Sequence, residues 1–273
     1  MKYCRFLFED QTLYGAVEYR DGEPQGELWI VDLLPAPEED LSFRLQHRLS
    51  AVPIFQPIPL RAARLLPPVT PSKIICVGRN YRDHVREMGS DLPAEPLLFF
   101  KPVSALLSPG GIVRMPAASS RVDYEGELAL VIGRRSRYLE EKDWRSALRG
   151  YTLANDVTAR DLQDKDGQWT RAKGFDTFCP IGPIVTDELD PDSGLTLETR
   201  VNGALRQHGS TLDFIFPIPK LLAYITAAIT LEPGDLVLTG TPSGIGPVSP
   251  GDQVEITIPG LATLTNTFQP EER

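Results

Sequence analysis

The sequence has few of the residues that form covalent cross-links or soft-metal sites. Only three cysteines occur among its 273 residues, Cys4, Cys76 and Cys179, and no two of them form a CxxC pair. An odd and widely spaced set of this kind indicates neither a disulfide framework nor a structural zinc site. It fits the reducing cytoplasm, where we expect the protein to reside.

Long apolar runs and an excess of basic residues are also missing. Nowhere do about 18 apolar residues follow one another, and acidic residues begin by Glu9, so we expect neither a membrane span nor an export signal. Lys and Arg number 28 against 37 Asp and Glu, which gives a net charge of −9. This charge repels polyanions, and a nucleic-acid partner is therefore not expected.

Turn-forming residues are abundant and separate short apolar runs. The chain has 22 glycines and 25 prolines, and the runs between them are typical of strands. Strands are predicted at 28–34, 73–77, 96–100, 127–132, 151–155, 197–201, 236–239 and 254–258. Helices are predicted at 81–88, at 142–149, for a turn or two after Asp156, and at 219–228 with Pro219 in the first helical position. Strands should therefore outnumber helices.

A proline-dense segment, Pro67-Pro68-Val69-Thr70-Pro71, favours an extended connector. Connectors of this composition commonly separate domains. The sequence therefore predicts a small N-terminal domain over 1–70 and a larger domain over 71–273, in which the candidate functional residues described below lie.

Three carboxylates carry the strongest chemical signal. Glu125 and Glu127 start an apolar run two residues apart, so on a strand they point to the same face. Such like charges repel unless a cation lies between them, although a solvated strand start has the same pattern. Asp156 ends another apolar run, where it either caps the next helix or joins the same site. An oxygen-only site would suit Mg²⁺, Mn²⁺ or Ca²⁺ rather than Zn²⁺.

Three further segments carry candidate functional groups. In a helix over 81–88, His84 and Glu87 share one face, so the carboxylate can orient the imidazole as a general base; the alternative is an exposed surface pair. Histidine is scarce, with three in the chain, which favours a functional role. Lys173 is either a solvated lysine or a donor to a developing oxyanion. The glycine-rich segment 240–246 is either a tight turn or a loop that approaches a ligand.

Taken together, these motifs resemble the fumarylacetoacetate hydrolase superfamily. The matching segments are GRNYRDHVREMG (78–89), FFKP (99–102), DYEGELALVIG (123–133), NDVTARDLQ (155–163), KGFDTFCPIGP (173–183), VNGALRQ (201–207) and LTGTPSGIGPV (238–248). The chain is most similar to the branch that holds acylpyruvate hydrolases, oxaloacetate decarboxylases and tautomerases, and 2-hydroxyhepta-2,4-diene-1,7-dioate isomerases.

The resemblance implies an α+β, β-rich fold, a mixed β-sandwich roll of the fumarylacetoacetate hydrolase C-terminal domain type, with a small N-terminal domain and a homodimeric assembly. The implied cofactor is Mg²⁺ or Mn²⁺, with Ca²⁺ as a substitute. By motif matching, the metal ligands are Glu125, Glu127 and Asp156, the catalytic residues are His84, Glu87 and Lys173, and the substrate-binding residues are Arg160, Gln163 and Thr241.

The implied reaction is cleavage of a small β-dicarbonyl α-keto acid, which releases pyruvate through a metal-stabilised enolate. Acylpyruvate hydrolysis and oxaloacetate decarboxylation are its two leading forms. The alternatives are 2-hydroxyhepta-2,4-diene-1,7-dioate isomerase, 5-oxopent-3-ene-1,2,5-tricarboxylate decarboxylase or oxaloacetate tautomerase activity and, from another class, metal-dependent ligand binding without turnover. One departure from the family pattern is Gly174, where relatives usually carry serine, and it bears on the positioning of Lys173.

Overall fold

Strands dominate the structure, as the sequence predicts. The computed structural model describes residues 1–20, 26–40 and 54–272, so 21–25 and 41–53 of the predicted N-terminal domain lie outside the described residues. In chain order the strands are β1 (Lys2–Phe8), β2 (Gln11–Tyr19), β3 (Leu28–Leu34), β4 (Ile58–Pro59), β5 (Arg64–Leu66), β6 (Ile74–Gly78), β7 (Leu97–Lys101), β8 (Leu106–Leu107), β9 (Ile112–Met115), β10 (Val122–Tyr124), β11 (Gly126–Ile132), β12 (Leu148–Asn155), β13 (Thr158–Ala159), β14 (Cys179–Thr186), β15 (Thr196–Val201), β16 (Ala204–Ser210), β17 (Leu236–Leu238), β18 (Gly246–Pro247), β19 (Gln253–Thr257) and β20 (Leu264–Pro270).

The helices are short by comparison. The α-helices are α1 (Arg82–Glu87), α2 (Arg160–Asp166), α3 (Thr170–Gly174) and α4 (Ile218–Ala228), and 3₁₀ turns lie at Leu60–Ala62, Val103–Ala105, Glu141–Ala147, Pro191–Ser193 and Thr211–Asp213. Among the described residues, no helix is both long and apolar enough to span a bilayer. The cytoplasmic location and the homodimer stay predictions.

The described strands form three mixed or antiparallel sheets. Ten of the twelve strands in the largest sheet follow the order β4-β3-β2-β1-β14-β12-β11-β17-β6-β7, with β5 beside β1 and β8 beside β14. A five-stranded sheet has the order β16-β15-β19-β20-β9, and a three-stranded sheet the order β13-β10-β18. Most neighbours are antiparallel, whereas β6 and β17, β8 and β14, and β9 and β20 are parallel. The fold is thus the mixed, β-rich α+β type that the sequence predicts.

The N-terminal strands extend the sheet of the later residues. Lys2 pairs with Thr186 and Tyr3 with Val185, which joins β1 to β14. Chain segments on the two sides of the proline-dense connector therefore share one hydrogen-bonded sheet. The division at residue 70 stays a prediction about domains, but the two parts are not separate sheets.

Strand β11 is buried on both faces. Leu128, Leu130 and Ile132 belong to the larger hydrophobic core, whereas Ala129 and Val131 belong to a second core on the other face. This double burial explains why the sequence shows a continuous apolar run here rather than an alternating pattern. It also fixes the position of the two glutamates at the start of the run.

Two helix predictions need correction. Residues 142–149 do not form an α-helix: a 3₁₀ turn covers Glu141–Ala147, and β12 begins at Leu148. The buried residues of the 3₁₀ turn are Trp144 and Ala147. Their spacing of three residues suits a 3₁₀ turn better than an amphipathic α-helix. The last helix begins at Ile218, so Pro219 occupies its second position rather than its first. All eight predicted strand ranges coincide with strands and differ only at their ends.

Truncation of the central strand should destabilise the fold. Leu128 is completely buried in β11, so Leu128→Ala should lower the free energy of unfolding by about 2–5 kcal/mol through lost burial and a residual cavity. Chemical denaturation measures this change. Leu205→Ala is the matched control, because Leu205 is also on a strand but 46% exposed. Equal losses in the two variants would contradict the assignment of β11 to the core.

Candidate active site

The three predicted metal ligands meet where two central strands adjoin. β11 and β12 are antiparallel with Gly126 opposite Asn155, so the start of one strand lies beside the end of the other. Glu125 immediately precedes β11, Glu127 lies within it, and Asp156 immediately follows β12. Oxygens of the three carboxylates lie within 4.8 Å of one another, and all three side chains are buried. The cluster therefore offers three hard oxygen donors at one point.

Backbone contacts hold this cluster in place, and its surroundings exclude both a helix cap at Asp156 and a solvated strand start at the two glutamates. The Asp156 N–H donates to the Glu125 carbonyl at 2.8 Å, and the Glu125 N–H donates to Asn155 Oδ1 at 2.9 Å. Helix α2 begins four residues after Asp156 and has no side-chain N-cap, so Asp156 does not cap it. Glu125 and Glu127 are 5% and 2% exposed, which excludes a solvated strand start.

Two buried lysines approach the cluster. Lys173 Nζ donates to Glu125 Oε2 at 2.8 Å and to Asp156 Oδ2 at 2.6 Å. Lys101 Nζ donates to Asp156 Oδ1 at 2.7 Å and to the Val157 carbonyl at 3.1 Å. Burial lowers the pKa of Lys173, but Asp156 and Glu125 outweigh burial and raise it overall. Lys173 is therefore a charged member of the site and not a solvated lysine.

Arg160 adds a third cation. Its Nε donates to Asp123 Oδ2 at 2.9 Å, and its Nη2 donates to Glu125 Oε1. Its Nη1 donates to Gln163 Oε1, so two of the three residues predicted to bind substrate are in direct contact. Asp123 is completely buried, and it holds the guanidinium in a fixed orientation beside the carboxylate cluster.

The charges are unevenly distributed among the three carboxylates. Burial raises the pKa of Glu125, but Lys173 and Arg160 outweigh it and lower the pKa overall. Burial and the charges of Asp156 and Glu125 raise the pKa of Glu127 well above its ordinary value. Within the described ranges, Glu127 forms no ion pair, and its Oε2 accepts from the Gly240 N–H at 2.7 Å. A cation among the three carboxylates would remove this repulsion, so the donor set fits a divalent metal ion.

The predicted dyad lies at the edge of the same site. His84 Nδ1 is 3.2 Å from Glu87 Oε2 on α1, and the His84 side chain is only 8% exposed. His84 is thus buried and does not belong to an exposed surface pair. The other Glu87 oxygen, Oε1, accepts from the Gly244 N–H at 3.0 Å. Glu87 therefore joins the histidine to the glycine-rich segment 240–246.

One cavity collects these groups. Its volume is about 70 Å³, and eight of the nine predicted site residues line it: His84, Glu125, Glu127, Asp156, Arg160, Gln163, Lys173 and Thr241. Glu87 is the one predicted site residue that does not line the cavity, and it contacts His84, which does. The cavity is much smaller than the roughly 300–1,000 Å³ pockets of drug-sized ligands, which favours a small substrate. The segment 240–246 thus contributes to the cavity and is more than a structural turn.

Sequence reasoning missed some residues that complete the site. Lys101 and Asp123 lie inside the quoted motifs, yet no role was predicted for them. The sequence feature that could have indicated Lys101 is its position at the end of an apolar strand, because a lysine buried there needs an acidic partner.

Gly174 replaces the serine that relatives usually carry, and the space beside it is limited. A Cβ at this position would lie 3.1 Å from Pro102 Cδ. Lys173 keeps two carboxylate contacts without a neighbouring hydroxyl.

Comparisons with known proteins identify the family of this chain. Residues 73–269 match the family described as Fumarylacetoacetate (FAA) hydrolase C-terminal. Oxaloacetate tautomerase YisK of Bacillus subtilis is 42% identical over 243 residues, which cover 84% of this chain and 77% of the relative. A mitochondrial oxaloacetate decarboxylase of Dictyostelium discoideum is 45% identical over 200 residues, which cover 71% of this chain and 92% of the relative.

A solved structure extends the likeness to the whole chain. The crystal structure of a 2-hydroxyhepta-2,4-diene-1,7-dioate isomerase from Mycobacterium marinum has a TM-score of 0.84 and 40% identity, and the match covers 100% of both chains. All three names fall within the branch that the motifs predict. The chain therefore belongs to the fumarylacetoacetate hydrolase family of enzymes.

Proposed function

We propose that this protein is a Mg²⁺- or Mn²⁺-dependent enzyme that cleaves small β-dicarbonyl α-keto acids and releases pyruvate, with oxaloacetate as the first candidate substrate. The observation that carries the proposal is the buried cluster of three carboxylates, which faces a small cavity together with a histidine and two buried cationic side chains. The choice of substrate is supported by two relatives, because the Bacillus protein is named an oxaloacetate tautomerase and the Dictyostelium protein an oxaloacetate decarboxylase.

The residues that would hold the ion are Glu125, Glu127 and Asp156. A divalent cation bound there supplies Lewis-acid polarisation of the carboxylate and keto oxygens of an α-keto acid. Asp156 is kept in place by Lys101, and Glu125 by Arg160, so two of the three carboxylates are oriented from outside the cluster. Glu127 lacks such a cation in the described residues and is oriented by the Gly240 N–H.

Arg160 and Lys173 are suited to bind an anionic substrate. Both side chains line the cavity, and both are buried, so their interaction with a small diacid is little screened by water. Gln163 accepts a hydrogen bond from Arg160 and lines the same cavity. The set favours a substrate with two carboxylates or with a carboxylate and a neighbouring carbonyl.

His84 is the group suited to proton transfer. Glu87 holds Nδ1, which leaves Nε2 for the substrate. In oxaloacetate decarboxylation the C3–C4 bond breaks, carbon dioxide leaves without the bonding electron pair, and C3 receives a proton to give pyruvate. In acylpyruvate hydrolysis His84 instead deprotonates the water that attacks C4, and Lys173 stabilises the oxyanion. The oxyanion then collapses and the C3–C4 bond breaks. The acyl group leaves as a carboxylic acid, and C3 receives the proton to give pyruvate.

A second candidate function is oxaloacetate tautomerisation. It needs only a proton moved between C3 and the keto oxygen, with no bond between carbons broken. The Bacillus relative carries this name, and a base oriented by a carboxylate is sufficient for it. Loss of the enol absorbance without pyruvate would favour this candidate over cleavage.

Pyruvate release tests the proposed function directly. Oxaloacetate and acetylpyruvate are assayed side by side with Mg²⁺, with Mn²⁺ and after chelation, and the decarboxylation caused by metal alone is subtracted. We expect turnover that chelation abolishes and that Glu125→Ala removes, because Glu125 belongs to the ligand cluster. Turnover that survives chelation would contradict metal dependence, and the absence of pyruvate from both acids would contradict the cleavage reaction.

Removal of the base should separate the reactions. His84→Ala should lower kcat/KM for acetylpyruvate hydrolysis by about 10²-fold or more, the usual scale of general-base catalysis, and should affect decarboxylation less because no water attacks. His208→Ala is the matched control, since its side chain is 62% exposed. Equal losses in both reactions would contradict a role limited to water activation.

Neutralisation of Glu127 should stabilise the metal-free protein. Its pKa in the folded state is raised by burial and by Asp156 and Glu125, so the charged form costs stability as pH rises above the ordinary glutamate value. At neutral pH and after chelation, Glu127→Gln should raise the Tm by about 3 °C or more. Mn²⁺ should raise the Tm of the wild type but not that of the variant. Exposed Glu141→Gln is the control. A lower Tm than wild type, or an undiminished Mn²⁺ effect, would contradict the interpretation.

A further inference from the structure

We propose that Gln207 is a positioning residue that fixes the carboxylate cluster to the glycine-rich segment 240–246. The inference rests on the proposed function, because it assigns Gln207 a part in that same site. Gln207 lies on β16 in the five-stranded sheet and does not line the cavity. It would therefore act through other residues and not by contact with substrate.

The side chain of Gln207 is completely buried, and its hydrogen bonds all go to the site. Oε1 accepts from the Gly126 N–H at 3.0 Å, while Nε2 donates to Thr241 Oγ1 at 2.7 Å and to the Pro242 carbonyl at 2.8 Å. Gly126 is the residue between Glu125 and Glu127. One amide therefore joins the backbone between two predicted metal ligands to the loop that faces the substrate.

Thr241 completes a closed set of contacts. Its hydroxyl donates to the Gly126 carbonyl at 2.9 Å and accepts from Gln207. Both polar groups of Gly126 are thus held, one by Gln207 and one by Thr241. The single hydroxyl proton of Thr241 is used inside the protein in this arrangement, so it is not available for a substrate carboxylate.

Close packing leaves little freedom around these contacts. A Cβ on Gly126 would lie 2.2 Å from Thr199 Oγ1, and a Cβ on Gly244 would lie 2.0 Å from the Arg206 carbonyl oxygen. The segment 240–246 thus lies directly against the backbone of β16 beside Gln207. A larger residue at Gly126 or Gly244 would push the sheets or the loop apart.

The same segment also reaches the other functional groups. The Gly240 N–H donates to Glu127, and the Gly244 N–H donates to Glu87, the partner of His84. A displacement of the loop would therefore disturb one metal ligand and the orientation of the base together. Gln207 holds the middle of the loop between these two contacts, which is why we assign it a positioning role.

The test compares Gln207→Met with the matched control Gln253→Met, whose glutamine is exposed on β19 of the same sheet. Methionine keeps the length of the side chain but leaves Gly126, Thr241 and Pro242 without their amide partner. We expect Mn²⁺ binding, measured calorimetrically without substrate, to weaken about ten-fold, the usual effect of losing a group that orients metal ligands. Amide hydrogen exchange at 240–246 should become faster, and saturating Mn²⁺ should restore part of the activity.

An affinity for Mn²⁺ within two-fold of the control, or unchanged exchange at 240–246, would overturn the inference. If Gln207→Met does not fold, Gln207→Glu replaces it, because glutamate keeps the volume and the acceptor for Gly126 but cannot donate to Pro242 when ionised. The inference and the proposed function fail separately. If the wild type shows no turnover, the proposed function is wrong. Amide hydrogen exchange at 240–246 still tests the role of Gln207, even if no metal binds.

Discussion

Mutual repulsion among Glu125, Glu127 and Asp156 is the constraint on which the rest of the site depends. Three carboxylates with oxygens within 4.8 Å of one another are buried where β11 adjoins β12. Burial of like charges is costly unless cations compensate them. Lys173 and its neighbours supply part of the compensation from the protein, and the remaining imbalance at Glu127 makes the site receptive to a metal ion.

The surrounding fold keeps the compensating groups rigid. Lys101 ends β7, Lys173 lies on α3, and Arg160 begins α2, so each cation is anchored in a different element. Asp123 and Gln163 in turn hold Arg160. Because hydrogen bonds fix the heads of these long side chains, little conformational entropy remains to be lost when a substrate binds. Preorganised charge of this kind is the main means by which enzymes stabilise charge that develops during a reaction.

The sequence predicts much of this site because several of its groups are local in the chain. Glu125 and Glu127 both lie at the start of one apolar run, and His84 and Glu87 are one helical turn apart, so spacing alone brings each pair together. Residue spacing does not indicate contacts between residues that are far apart in the sequence. Lys101 and Asp156, which form a hydrogen bond, are 55 residues apart, and Gln207 and Gly126 are 81 residues apart. The wrong helix at 142–149 has a similar cause, because pairing of Leu148 with β11 overrides the local pattern.

The pairing of β1 with β14 has a consequence for truncation of the chain. β14 is bordered by β12 on one side, and β1 hydrogen-bonds to it at Val185 and Thr186 on the other. A fragment that began at residue 71 would present those two residues as an open sheet edge, and open edges recruit foreign strands and promote aggregation. The N-terminal strand β1 thus covers an edge that the later residues would otherwise leave open at Val185 and Thr186.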